Sequence, residues 1–297
     1  MRNRCGERKD GKLVVESEGK KEVWREAFAR LGECGGDEGK FDEEFRVKVE
    51  AEIEEMSEET WKQVEESLDK VFEEKEVEVE LRHMKNGKAG GEDEILTEML
   101  KGGGEAVVKS LAVMFNRIWG WEVVPEQWGC GMIVPLFKEG EREDCGNYRG
   151  IALLSIVGKL FGRVLNSRLM EFVEVRELVE EQGGFRKGRG CVDVLYTWSE
   201  VVRGRRSEGL KTFCAFIDVR KAYDRVWRDG LWKRLWDAGV RGKMWRVLRR
   251  MYEKVNSCVL VDGERTGWFE TKMGVRGLCV VSCVVFHICK WFCESFK

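Results

Sequence analysis

Histidine is almost absent from this chain: His83 and His287 are the only two in 297 residues. A hydrolase built around a histidine base has little material to work with. Long hydrophobic runs are missing as well. The most apolar tract, Leu278 to Cys293, is 16 residues long and includes His287 and Lys290, short of the ~20 that a membrane-spanning helix needs, so no membrane partner is expected. No signal peptide is visible, since Met1-Arg2-Asn3-Arg4 leads into charge rather than an apolar stretch. The 11 cysteines keep no regular spacing, which excludes a disulfide framework and predicts free thiols in a reducing, intracellular compartment. Cys279, Cys283, His287, Cys289 and Cys293 are zinc-ligand types, but they lie at near-helical spacing without a Cys-x₂-Cys pair. Small thiols on an apolar helix account for them better. No internal repeat is present.

What the chain has in abundance is charge, unevenly divided. The net charge of -2 combines 18 basic and 30 acidic residues in 1–100 with 34 basic and 24 acidic residues in 101–297. Within 185–254 there are 19 basic and 8 acidic side chains. Such a tract fits a phosphate-binding footprint and fits equally a solvated helical surface.

The patterning predicts an α+β fold. Residues 1–40 read mainly as linker, with a short amphipathic helix around Val23-Trp24 and Ala27-Phe28. Thr60 and Gln63 suggest a capping box for a helix carrying Trp61, Val64, Leu68, Val71 and Phe72 on one face, continued by Val77, Leu81 and Met84. Val107, Leu111, Met114, Phe115, Ile118 and Trp119 form a core-facing helical stripe. Met132 to Phe137 reads as a strand, with Ile151 to Leu154 as its antiparallel partner across a polar turn. A helix over 156–173 turns Leu160, Val164, Leu165 and Leu169 inward, and another covers 192–203. A buried strand over 212–218 leads into a helix over 219–237 and a second over 241–254. Val255 to Val261, Asp262-Gly263-Glu264 and Trp268-Phe269 read as a hairpin.

Chemistry concentrates at Phe216-Ile217-Asp218 and Ala222-Tyr223-Asp224. An apolar run delivers Asp218 to a strand-to-helix junction, where a carboxylate either holds a hard cation or caps the helix. Tyr223 is either a ring beside a bound sugar or an ordinary half-buried helical tyrosine. Asp224 is expected in a salt bridge or hydrogen bond, with Arg225 or Arg228 as partner. Lys138 and Arg149 bracket the polar turn and are either aimed at one polyphosphate or solvated. Arg186, Lys187 and Arg189 share a Gly-rich loop with Phe185, combining charge with a ring able to stack on a base.

Six blocks then align in order: Met84-Lys85-Asn86-Gly87-Lys88-Ala89; Val134 to Lys138; Asn147 to Leu154; Gln182 to Arg189; Phe216 to Asp224; and Gly274-Val275-Arg276 with Ser282 and Phe286. Together they resemble the reverse transcriptase domain of non-LTR (LINE-type) retrotransposons, over about residues 80–290. The resemblance implies right-hand polymerase fingers and a partial palm over 81–297, preceded by an acidic helical and linker segment over 1–80. It implies RNA-directed DNA polymerase ancestry, with Mg²⁺ as cofactor and an RNA template, a DNA primer and a dNTP as partners. It assigns Asp218 as catalytic metal ligand and Tyr223 as the steric gate against a 2′-OH. Lys138 and Arg149 become triphosphate contacts, and Phe185, Arg186, Lys187 and Arg189 template contacts. Gly274, Arg276 and Ser282 become the remnant of the block that seats nucleotide and template. Residence in the nucleus or cytoplasm follows from where such elements work.

The departures are specific. Gly150 stands where the family has proline, Gly277 where it has glutamine, and Cys283 where proline is usual; only Pro125 and Pro135 occur in the chain. No Tyr/Phe-x-Asp-Asp block follows Asp224. A two-metal site holds its ions roughly 3.5–4 Å apart on several carboxylates, so one aspartate is expected to leave this copy unable to extend primers. The alternative is a non-catalytic RNA- or DNA-binding module using the basic 185–254 surface. A third reading is a translated remnant that folds poorly.

Overall fold

Met132 to Phe137 lies within a strand, β1 (Cys130–Phe137), that pairs antiparallel with β2 (Tyr148–Leu153). Met132 faces Leu153 and Phe137 faces Tyr148 across the ladder. In this computed structural model, which describes residues 16–33, 42–59, 66–176, 188–216 and 221–276, β3 (Asn256–Val261) joins the other side of β1 in parallel, Cys130 opposite Asn256 and Ile133 opposite Val259. Two short strands, β4 (Glu264–Arg265) and β5 (Phe269–Glu270), fold back on β3. Asp262 and Gly263 turn the chain at φ 51° and 90°, the positive values a tight primed hairpin turn requires. Pro135 lies beyond the last β1–β3 pair, where β1 has become an edge, so its missing N–H costs no ladder bond on that side. The architecture is a mixed sheet packed with helices.

The helical core forms where the sequence has its 3.6-residue stripes. Leu111, Phe115, Ile118 and Trp119 of α5 (Gly104–Trp121) meet Leu160, Phe161, Val164, Leu165 and Leu169 of α6 (Ile156–Arg176). Each such side chain contributes about 1.5–3 kcal/mol by leaving water. Val77 and Leu81 of α3 (Glu74–His83) join the same cluster, as do Leu231 and Leu235 of α8 (Arg228–Asp237) and Trp245 and Leu248 of α9 (Gly242–Arg250). The short α4 (Thr97–Gly102) leads into α5. Val49 and Ile53 of α2 (Glu43–Glu59) are buried in this core, so it draws on residues from both sides of position 80. A separate cluster covers one sheet face. There α1 (Ser17–Gly32) sets Trp24 edge-on to Tyr148, with ring centroids 4.8 Å apart. The first forty residues therefore include a docked helix as well as the expected linker composition.

Three expectations need correction. Residues 66–72 form turns and irregular chain rather than a helix, and Val71 is exposed while Leu68 and Phe72 are buried. The Asn116 side chain accepts from the Phe72 amide at 2.7 Å and donates to its carbonyl at 2.8 Å, taking the groups a helix would have paired. Thr60, Trp61, Gln63 and Val64 lie outside the described residues. The buried strand predicted from residue 212 is absent over 212–216, where Phe213 and Phe216 are exposed. A strand needs a ladder partner, and no strand pairs with this segment among the described residues. The helix predicted to start at 219 begins at Arg228, preceded by a turn over 221–225. The Tyr223 and Val226 carbonyls are occupied by amides from residues 275 and 274, so the helical pattern cannot run through them.

The helix expected over 192–203 is present as α7 (Cys191–Ser207), but its apolar side chains, Leu195, Tyr196 and Trp198 among them, face solvent. Cys130, Cys191, Cys214 and Cys258 are free thiols, as expected, whereas Cys145 is disulfide-bonded. Sequence spacing carries no information on which cysteines meet in space, hence the exception. Among the described residues no helix is long and apolar enough to cross a membrane.

Candidate nucleotide site

The turn over 221–225 is built locally and then fastened from afar. Lys221 adopts φ 52° and its carbonyl accepts from the amides of Asp224 (3.0 Å) and Arg225 (3.2 Å). The Gly274 amide donates to the Val226 carbonyl and the Val275 amide to the Tyr223 carbonyl, both at 2.8 Å. Gly274 sits at φ 80°, and a Cβ placed on it would lie 2.7 Å from the Asp224 carbonyl oxygen. Only glycine meets both demands. Two blocks separated by fifty residues in sequence are thus held edge to edge, with the Tyr223 ring half-buried against the core.

Two guanidinium groups hold this junction. Arg228, the buried first residue of α8, donates to the carbonyls of Gly274 (3.0 Å), Met273 (3.2 Å) and Tyr252 (3.2 Å), and stands 5.3 Å from the Tyr252 ring centre. Arg276 donates to the carbonyls of Asn256 (2.9 Å) and Gly129 (3.2 Å), to Thr271 Oγ1 (2.9 Å) and to Ser257 Oγ. Burial, reinforced by the nearby charge of Arg228, pulls Arg276 down to about 10. Burial pushes the Tyr252 phenol up to about 12, with Arg228 and Arg276 opposing the rise. Arg276 therefore spends its donors on the protein, joining the start of β1 to the start of β3.

A cavity of about 60 Å³ opens beside this junction, lined by Phe28, Ile133, Gly150, Asp224, Thr271 and Arg276 among others. Asp224 is an exposed residue whose carboxyl nevertheless stands in a crowded rim. Desolvation there raises its pKa, and the positive fields of Lys221 and Arg149 lower it. Lys221 and Arg149 are cations whose fields act on the Asp224 carboxyl, while Arg228 donates to the main-chain carbonyls of Gly274, Met273 and Tyr252.

The structure thus brings Arg149, Tyr223, Asp224, Gly274 and Arg276 into one neighbourhood. Lys138 makes different contacts. Its amide closes the β1–β2 turn on the Asn147 carbonyl (2.9 Å), while its exposed ammonium pairs with Glu139 at 3.0 Å. Arg189 lies just before α7 on an exposed segment. Asp218, Phe185, Arg186, Lys187 and Ser282 fall outside the described residues. Among the described residues no cluster of three acidic, histidine or cysteine side chains could hold a metal ion. Sequence reasoning missed Arg228 as an anchor. A cation in the first turn of a helix opposes the helix dipole, and that misplacement is the signal that another contact keeps it there.

The reverse transcriptase (RNA-dependent DNA polymerase) family matches residues 137–290, more than half of the chain and enclosing every element of this junction from Arg149 to Arg276. The chain belongs to the reverse transcriptase family. It is similar to the probable RNA-directed DNA polymerase of transposon X-element from Drosophila melanogaster, 33% identical over 164 residues, which is 54% of this chain and 18% of that protein. The corresponding protein of transposon BS from the same fly is 33% identical over 148 residues, 48% and 16% of the two chains. The RNA-directed DNA polymerase from mobile element jockey is 27% identical over 184 residues, 60% and 20%. The matched stretch thus spans no more than a fifth of the length of these relatives. The chain is a reverse transcriptase-like domain homologous to the RNA-directed DNA polymerases of non-LTR retrotransposons.

Proposed function

We propose that this chain is the fingers and part of the palm of an RNA-directed DNA polymerase acting on an RNA template, a DNA primer and a dNTP. The β1–β2 hairpin is the fingers element, with Lys138 and Arg149 toward the triphosphate. Tyr223 packs beside the deoxyribose, Asp218 holds Mg²⁺, and Phe185, Arg186, Lys187 and Arg189 contact the template. Residues 1–80 precede this domain as an acidic segment, and nuclear or cytoplasmic residence belongs to the same proposal. The observation that carries it is the fastening of the Tyr223–Asp224 turn to Gly274–Val275 with Arg149 close enough to act on Asp224. That arrangement supports a site where a phosphate-binding cation and a sugar-facing ring meet at one rim. Mg²⁺ would supply charge neutralisation at the triphosphate when bound.

The chain is expected to bind a dNTP in the presence of Mg²⁺ and a primer–template duplex, with Asp218 required. Titration calorimetry tests this. Loss of dNTP binding in Asp218→Asn supports the reading, and no dNTP binding by the unaltered chain overturns it.

The second reading, a nucleic-acid-binding module without catalysis, draws on Tyr196, Trp198, Phe213 and Phe216, exposed rings near the arginines of α7. Against a wide basic surface, many cations of α8 and α9 are engaged within the protein: Lys233 with Glu52, Arg246 with Glu122, Arg249 over Trp245. The module predicts RNA affinity that falls steeply with salt; salt-insensitive or absent binding sinks it.

A further inference from the structure

We infer that Arg228 is a positioning residue for sugar selection, acting on Tyr223 through the main chain of residues 273–275. The inference rests on the proposed place of Tyr223 beside the deoxyribose. Arg228 opens α8, where a positive charge opposes the helix dipole, so its place is not explained by α8 itself. Its planar fork instead serves three carbonyls at once: Nε to Gly274, Nη2 to Met273, Nη1 to Tyr252. Lysine, a point charge on a flexible stem, cannot reproduce that pattern. The loop gripped in this way donates its next two amides to the Val226 and Tyr223 carbonyls, both at 2.8 Å.

No slack separates the two segments. A methyl group on Gly274 would already collide with the Asp224 carbonyl. A shift of the 273–275 loop therefore moves the Tyr223 main chain, and the ring with it. Discrimination against a 2′-OH by shape alone is sensitive to such a shift, because a misplacement of about 1 Å costs on the order of 10²-fold where geometry decides the outcome. Arg228 needs no contact with the nucleotide to exert this control.

The test uses the full 297-residue chain with Mg²⁺ and an RNA template–DNA primer duplex, comparing binding of dATP with binding of ATP. Hydrogen exchange at the Gly274 and Val275 amides is followed in parallel. Arg228→Lys is expected to lower the dATP-over-ATP preference by about tenfold or more, to speed exchange at both amides, and to leave duplex affinity unchanged. Tyr223→Ala is expected to abolish the preference while those amides stay protected. Should Arg228→Lys melt below the assay temperature, Gly274→Ala perturbs the same junction from its other side and is read by the same ratio. A preference retained in Arg228→Lys but lost in Tyr223→Ala overturns the role of Arg228 and leaves the polymerase reading intact. Equal binding of dATP and ATP by the unaltered chain, with faster exchange still seen in Arg228→Lys, overturns the placement of Tyr223 and the positioning role with it.

Discussion

The Cα of Gly274 is pressed against the Asp224 carbonyl so closely that an added methyl group would stand 2.7 Å from the oxygen. At φ 80° the same residue also requires a conformation that side chains disfavour. Gly274→Ala is therefore expected to destabilise the protein by about 1–3 kcal/mol, read as a lower urea midpoint with an unchanged slope. Gly263→Ala, also at positive φ but with open space around it, should cost about 1 kcal/mol and leave nucleotide binding unaltered.

Gly150 and Phe28 form a second close approach. A Cβ at Gly150 would lie 2.7 Å from Phe28 Cε1 and 2.9 Å from Ile133 Cγ2. The lack of a side chain at Gly150 is what admits the α1 ring onto the sheet. Gly150→Ala should cost about 1–3 kcal/mol by overpacking. Combined with Phe28→Ala, the loss should be less than the sum of the two single losses, with a coupling of about 0.5 kcal/mol or more. Strict additivity in the double-mutant cycle would mean that α1 does not seat there.

Glu122 ends α5 in the left-handed conformation, φ 54° and ψ 32°, where glycine is the favoured residue. Its side chain, buried, pairs with Arg246 of α9 at 2.8 Å and 2.5 Å, where the Arg246 side chain is only 10% exposed. Glu122→Gly relieves the backbone by about 1 kcal/mol but removes the carboxylate from a largely buried ion pair, at about 3–5 kcal/mol. A net loss of about 2–4 kcal/mol is expected in denaturant unfolding. A gain in stability would show that the pair is not formed.

The pH dependence should carry the mark of Glu76. Desolvation raises its pKa, but the hydrogen bonds from Arg168 and the Glu73 amide outweigh it, and the net shift is downward from the ordinary 4.5. Arg168 also reaches the Val71 carbonyl at 2.7 Å and lies 4.2 Å over the Phe72 ring. A lowered carboxyl pKa in the folded state contributes stability above 4.5, and that contribution is lost as pH falls through the folded value. Glu76→Gln should therefore cost about 1–2 kcal/mol near neutrality and nothing once the pH is below the folded value. Parallel stability curves for the two proteins across that range would refute the assignment.

The chain's own pattern was enough to place α5, α6 and the hairpin around Asp262-Gly263, because each depends on periodicity and turn chemistry within a few residues. The same holds for the family: six short blocks in order, and the 137–290 match that followed them. The 212–216 segment shows where local reasoning ends. Its apolar composition suits a strand, but strand formation is decided by a partner that the segment cannot specify. The run from 66 to 72 fails for a related reason, since a single distant side chain, Asn116, takes over the Phe72 main chain.

At the candidate site the division is the same. Residue types at Tyr223, Asp224, Gly274 and Arg276 announced chemistry on their own, and Arg149 announced a cation at a hairpin end. Only the tertiary structure turned Arg276 inward, set Arg149 and Lys221 near the Asp224 carboxyl, and made Arg228 the anchor of a loop 46 residues away. Hydrogen bonds to main-chain carbonyls leave no trace in sequence, because every residue carries the same acceptor; which one an arginine finds is settled by how the whole chain packs.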